Sequence, residues 1–273
     1  MELDSYKIKK YMNTGILYNI WWHNNPDDCD FIDELNYSLE CSKKQNLPIK
    51  ILFDKTSTID INKINLSNDN FIYYELTPEE KSYNLWYRKL KMIDISPFEK
   101  TLFLDTDVFI LEDTKFYNID CVPTEQNIDI NINYVFDKLD HYGMAMAFDG
   151  HVMGQREYRI ENNKRYSIDI LPEYKTIALK YLKYSCTPLY NWGVVFFNKC
   201  DKRTKDLFDL SKDILIKENC TEQIAMSIAI DILNFNIFTL HHVTWNHRSH
   251  SGPYVYLGTK IIHNPHWFKI IKQ

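Results

Sequence analysis

Two carboxylates stand two residues apart in the stretch Thr101 to Ile110, TLFLDTDVFI, with apolar residues on both sides. Taking an unpaired carboxylate out of water is costly, so Asp105 and Asp107 need a counter-charge if they lie in the buried strand their neighbours suggest. Alternation along such a strand puts both side chains on one face. Two oxygens so placed suit a hard divalent cation, Mn²⁺ or Mg²⁺, that keeps open positions for phosphate oxygens. The expectation is that a metal ion, rather than a side chain, cancels the pair. Taken alone, DTD serves equally well as a strand end at Asp105 and a turn or helix cap at Asp107. A phosphohydrolase with an aspartate nucleophile also places DxD after an apolar strand, but expects Thr or Val where this chain has Phe109.

The elements around the pair read as alternating strands and helices. GILYNIWW (15 to 22) and LPIKILFD (47 to 54) are short apolar runs of strand type. Between them, DCDFIDELNYSLECSKKQN carries Phe31, Ile32, Leu35 and Leu39 at helical spacing, with acidic residues early and lysines late, as the helix macrodipole favours. NFIYYEL (70 to 76) gives a third strand, and SYNLWYRKLKMIDIS (82 to 96) a helix stopped by Pro97 before the strand carrying the carboxylates. This alternation predicts a mostly parallel sheet covered on both faces. In such a sheet, ligands bind beyond the carboxyl ends of the strands, where Asp105 and Asp107 emerge. Further on, YGMAMAFD and WGVVFFN read as strands, KDLFDLSKDILIKEN and TEQIAMSIAIDILNF as helices, and about 150 to 188 as a polar, aromatic loop region.

Composition bounds the class. The 273 residues are 45% apolar and 15% aromatic with only 7 Gly and 9 Pro, which excludes collagenous and low-complexity chains. A formal net charge of −5, with signs alternating along the chain, supplies no basic stripe for nucleic acid. Neither a signal-type apolar run at the N-terminus nor a span of about 20 apolar residues occurs, so a soluble, cytoplasmic protein is expected. The six cysteines form no CxxC pair and suit reduced thiols. The stretch HHVTWNHRSH (241 to 250) fits no common closed zinc spacing and reads as an acceptor-side wall containing Asn246.

SPFEKTLFLDTDVFI, with Arg88 and Lys89 on the helix ahead of it, resembles the DxD segment of GT-A nucleotide-diphospho-sugar transferases. The likeness is to glycosyltransferase family 8 in particular, the glycogenin and bacterial galactosyltransferase type, and to related bacterial transferases. The block from Gly15 to Asp54 is similar to the family's first βαβ unit, YNWGVVFFN to its Asn-x-Gly-Val strand, TEQIAMSIAI to its Asp-Gln helix, and KIIHNPHW to its C-terminal Ile-x-His segment. The blocks keep the family's order and span most of the chain.

The resemblance implies an α/β, GT-A type, Rossmann-like and mostly parallel sheet flanked by helices. It implies one domain over 1 to 273, with a nucleotide-sugar half to about 110 and an acceptor-side half beyond. The implied activity is metal-dependent transfer of a sugar from a nucleoside-diphosphate sugar, a UDP-sugar by family precedent, to a glycan or protein acceptor. By position, Asp105, Asp107 and His263 match the metal ligands, and Arg88 or Lys89 the basic residue facing the donor. Asn191 matches the donor-sugar contact, and Gln223 the residue below the anomeric carbon in retaining members. Asn19 to Asn24 should meet the base, where Trp21 or Trp22 could stack. The chain departs from the family at Glu222, where Asp is usual, at HNPHW, which lacks the usual lysine, and at WWHNNPDD. His266 or Lys269 could hold the β-phosphate in that lysine's place. Glu222 and Asp149 stand as candidate bases for an inverting alternative. A nucleotide-sugar or glycan-binding module without turnover is the second functional class.

Overall fold

The computed structural model describes residues 13–21, 29–110, 132–152, 156–161, 164–169, 172–182, 188–241, 245 and 261–263. The first strand, β1 (Thr14–Ile20), is buried along its whole length. It is followed by α1 (Cys29–Lys43), β2 (Ile49–Asp54), β3 (Phe71–Tyr74), α2 (Tyr87–Ile95) and β4 (Lys100–Leu104). β2 and β4 flank β1, and both run parallel to it. Beyond a turn lie β5 (Val108–Ile110), α3 (Ile132–Tyr142), β6 (Met144–Val152), β7 (Arg156–Glu161), β8 (Lys164–Asp169) and α4 (Pro172–Tyr181). The described chain continues with β9 (Pro188–Asn198), α5 (Lys202–Glu218), α6 (Glu222–Ile232), β10 (Phe238–Leu240) and β11 (Ile261–His263).

Seven strands form the main sheet in the order β10-β6-β9-β4-β1-β2-β3. β9 alone among them runs against its neighbours, so the sheet is mostly parallel, as the alternating pattern predicts. Successive strand residues feed opposite cores, as a period of two requires. Leu17, Phe103 and Val195 pack with Leu90 of α2, Leu207 and Phe208 of α5 and Ile224 of α6. On the other face Ile16, Tyr18, Leu102 and Phe196 pack with Leu35 and Leu39 of α1 and Val135 and Phe136 of α3. Each large apolar side chain so buried contributes about 1.5–3 kcal/mol. Gly15 is needed where it stands: a Cβ there would lie 2.3 Å from Cζ of the Phe98 ring.

Two expectations are corrected. TLFLDTDVFI is not one strand: β4 ends at Leu104, and β5 leaves to pair with β11 in a separate two-stranded sheet. The break falls on Asp105–Thr106–Asp107, where Val108 N–H donates to Asp105 O at 3.2 Å across a turn. The 150–188 region is not structureless either. It carries the end of β6, the β7–β8 hairpin and α4, elements whose mixed polar and aromatic composition hides both periods. Among the described residues, no helix is long and apolar enough to cross a membrane, and Cys41, Cys200 and Cys220 are free thiols.

Candidate functional site

The order β3-β2-β1-β4 reverses direction between β1 and β4, and α1 and α2 cover opposite faces of the sheet there. Such a switch point leaves a crevice beyond the carboxyl ends of the two strands. A cleft of about 300 Å³ opens at that place. Asn19, Ile20 and Trp21 line it from the end of β1, Phe31 and Glu34 from α1, and Trp86 and Lys89 from the start of α2. Asp105, Thr106 and Asp107 close it from the turn after β4.

Lys89 is the electrostatic centre of this cleft. Its ammonium donates to Asp105 Oδ2 at 2.8 Å and lies 3.4 Å from Glu222 Oε1, with the lysine and glutamate side chains both buried. Burial alone would lower the lysine pKa, but Asp105, Glu222 and Asp107 more than reverse it and hold Lys89 well above its ordinary value. Burial raises the Glu222 carboxyl above the usual carboxylate range, an effect Lys89 opposes. Asp105 thus has a side-chain counter-charge, Lys89, in the cleft. The same ammonium sits 5.6 Å from the centre of the half-exposed Trp86 ring, within the reach of a cation–π contact.

Arg88, one residue earlier, goes elsewhere. Its Nε donates to Asp54 Oδ2 at 3.0 Å at the end of β2, with both side chains buried. Asn19 ties the same corner together, donating from Nδ2 to the Arg88 carbonyl at 3.0 Å and accepting from the Tyr74 hydroxyl at 3.0 Å. These bonds fix the entry to α2 against β1 and so aim Lys89 at Asp105.

The turn itself is held from β9. The Asp105 N–H donates to the Gly193 carbonyl at 2.9 Å, and the Gly193 N–H donates to Asn191 Oδ1 at 2.8 Å. Asn191 is thus linked to the carboxylate turn through one residue. On the other side of the turn, the Ser38 hydroxyl donates to the Val108 carbonyl, and Tyr18 bonds the hydroxyls of Ser38 at 2.8 Å and Ser42 at 2.7 Å.

Gln223 follows Glu222 in the first turn of α6, half-buried, and Thr221 caps that helix by accepting from Ile224 N–H at 3.4 Å. His263 pairs with Val108 in the β5–β11 sheet, so its backbone stands beside the residue after Asp107. The His263 side chain lies outside what the structure describes, as do Trp22, His266, Lys269, Asn246 and the Asp149 side chain. Among the described residues no three His, Cys, Asp or Glu side chains converge on a metal position. The donor set nevertheless fits a hard divalent ion. Asp105 and Asp107 offer carboxylate oxygens to one cleft, and Mg²⁺-type ions commonly take one or two protein carboxylates and complete their shell with phosphate oxygens and water.

Trp86, Phe31 and Glu34 line the cleft, and the sequence pattern assigned none of them to it. For Trp86 a signal existed: it precedes Lys89 by three positions, the spacing that puts two helical residues on one face.

No family model matches the chain, and no curated protein matches its sequence. Solved structures do match in fold. The galactosyltransferase LgtC in complex with donor and acceptor sugar analogues superposes with a TM-score of 0.53 at 14% identity, over 92% of this chain and 86% of that one. An active-site mutant of LgtC gives 0.54 at 14% identity over the same shares. The bifunctional glycosyltransferase WbbM gives 0.52 at 14% identity, covering 92% of this chain and 45% of that one. At such identities the likeness is one of architecture, and the architecture is the GT-A glycosyltransferase fold.

Proposed function

We propose that this protein is a glycosyltransferase that moves a sugar from a nucleoside-diphosphate sugar, a UDP-sugar in the first instance, to a glycan or protein acceptor. The observation that carries the reading is the convergence of Asp105, Asp107 and Lys89 in one cleft at the switch point of a GT-A sheet. Glycosidic cleavage of such a donor leaves a diphosphate that gains negative charge as the C–O bond breaks. Preorganised cationic groups in a site shielded from water favour that change. Each tenfold in rate requires about 1.4 kcal/mol of transition-state stabilisation.

In this reading Lys89 faces the diphosphate and lowers the cost of its developing charge. Asp105 and Asp107, with His263 beside them, hold a divalent cation, Mn²⁺ or Mg²⁺. That ion would supply Lewis-acid stabilisation of the leaving group. Trp21 or Trp22 stacks on the base, and Asn19 keeps the end of β1 in register against α2. Asn191 meets the donor sugar, and Gln223 lies below the anomeric carbon, which favours retention of configuration. His266 or Lys269 contacts the β-phosphate. Arg88 serves the scaffold through Asp54 rather than the donor. Residues to about 110 supply most of the nucleotide side of the donor site, and those beyond complete it through Asn191, Gln223, His263 and either His266 or Lys269 and shape the acceptor side of the same domain.

The test is release of the nucleotide leaving group, UDP, GDP or CMP, from a panel of the corresponding sugar donors in the presence of mixed oligosaccharide acceptors and Mn²⁺. Turnover with one donor, lost in Asp107→Ala, supports the reading, and NMR of the product anomer reports retention or inversion. Donor binding without turnover on any acceptor would favour a binding module.

A further inference from the structure

Lys89 carries more contacts than a donor-facing lysine requires. Its buried ammonium bonds Asp105 at 2.8 Å and lies 3.4 Å from Glu222, and Asp107 lines the same cleft. Arg88, the neighbouring cation, is committed to Asp54 at 3.0 Å. Three carboxylates thus face one ammonium in this corner of the cleft. A buried ion pair persists only where each charge keeps a partner, and removing one partner is strongly unfavourable. A divalent cation that takes Asp105 Oδ2 displaces Lys89 from it, and the released ammonium, left with Glu222, favours a further anion close by.

We propose that Lys89 is a resident counter-ion that makes cation binding at Asp105 and Asp107 conditional on a diphosphate. This rests on the donor reading given above. Without nucleotide, Lys89 occupies Asp105 and a cation binds weakly. With nucleotide, the diphosphate receives the displaced ammonium while Glu222 keeps it anchored at the start of α6, so cation and nucleotide enter together. Glu222 is then a positioning residue for Lys89, and its burial against that lysine leaves it poorly placed to act as a base. By linkage, whatever the nucleotide does to cation affinity, the cation does equally to nucleotide affinity.

The experiment measures Mn²⁺ binding by loss of the free-ion paramagnetic resonance signal, and UDP binding by the fluorescence of the cleft tryptophans, each with and without the other ligand. It uses the wild-type chain, Lys89→Met and Lys89→Arg. In the wild type UDP is expected to tighten Mn²⁺ binding by about tenfold or more, within the usual range of coupling between sites. In Lys89→Met, Mn²⁺ alone should bind about tenfold tighter than to wild type, and the coupling to UDP should shrink by a similar factor. Lys89→Arg, which keeps the charge, should retain the coupling. Wild-type coupling within twofold of none, or coupling in Lys89→Met equal to wild type, would overturn the proposal while leaving the transferase reading intact. If Lys89→Met does not fold, the wild-type coupling and the Lys89→Arg comparison decide. Failure of UDP to bind the wild type even with Mn²⁺ would overturn the donor reading and this inference with it.

Discussion

Arg88 and Lys89 are consecutive on α2, yet they pair with carboxylates at the ends of different strands: Arg88 with Asp54 after β2, and Lys89 with Asp105 after β4. Consecutive helical residues point about 100° apart, the angle set by 3.6 residues per turn. The two strand ends flank β1, and the start of α2 reaches both. Removing each cation should therefore have a different signature. Arg88→Met leaves Asp54 buried without its ion-pair partner and should cost about 3–5 kcal/mol, read as a lower denaturation midpoint, while the folded fraction still binds nucleotide. Lys89→Met should lose nucleotide affinity first.

Tyr18 offers a second test of how the turn is held. Its hydroxyl is buried beneath β5 and bonds Ser38 and Ser42, and Ser38 in turn bonds the Val108 carbonyl. Tyr18→Phe leaves two serine hydroxyls short of a partner. About 1–3 kcal/mol of stability should be lost, measurable by urea denaturation, with the m-value unchanged.

Gly15 tests the packing of β1 against Phe98. Because an added Cβ would fall 2.3 Å from the ring, Gly15→Ala should destabilise by about 1–3 kcal/mol through overpacking. Phe98→Leu in the same chain should recover part of that loss, and a double-mutant cycle reads the coupling directly.

Acid sensitivity should trace in part to Glu80. Burial works against its charge, but Lys91 at 2.6 Å, the Thr77 N–H and the Tyr87 hydroxyl overcome it and bring its pKa from 4.5 down to about 2. A carboxyl whose folded pKa is depressed stabilises above its unfolded value and loses that contribution as pH falls towards its folded one. Stability should therefore decline between about pH 4.5 and 2, and Glu80→Gln should flatten that part of the profile at a cost near neutrality.

Much of this was legible in the sequence because it is local. The first βαβ unit, α2 and the strand before Asp105 announce themselves by period and by Pro97. The break of that strand at Asp105 did not, since Val108–Ile110 is as apolar as Lys100–Leu104 and only pairing with β11 separates them. Nor could the sequence choose between Arg88 and Lys89, because the choice depends on which face of α2 meets β4. Glu222 reaches Lys89 across 133 positions of chain, a contact that no local pattern encodes. Trp86 was hidden among many aromatic residues, and among the described ones most are buried in the core or packed against it.

The proposed nucleotide site at Asp105 and Asp107 is divalent-dependent. The most direct measurement is thermal unfolding with UDP, GDP or CMP, each with and without Mn²⁺, on the wild type and on Asp107→Ala. A nucleotide at a hundred times its dissociation constant should stabilise by about 2.7 kcal/mol. Such a shift is expected for one nucleotide, UDP first among them, requiring Mn²⁺ and absent in Asp107→Ala. A cooperative transition that no nucleotide moves, with or without Mn²⁺, would contradict it.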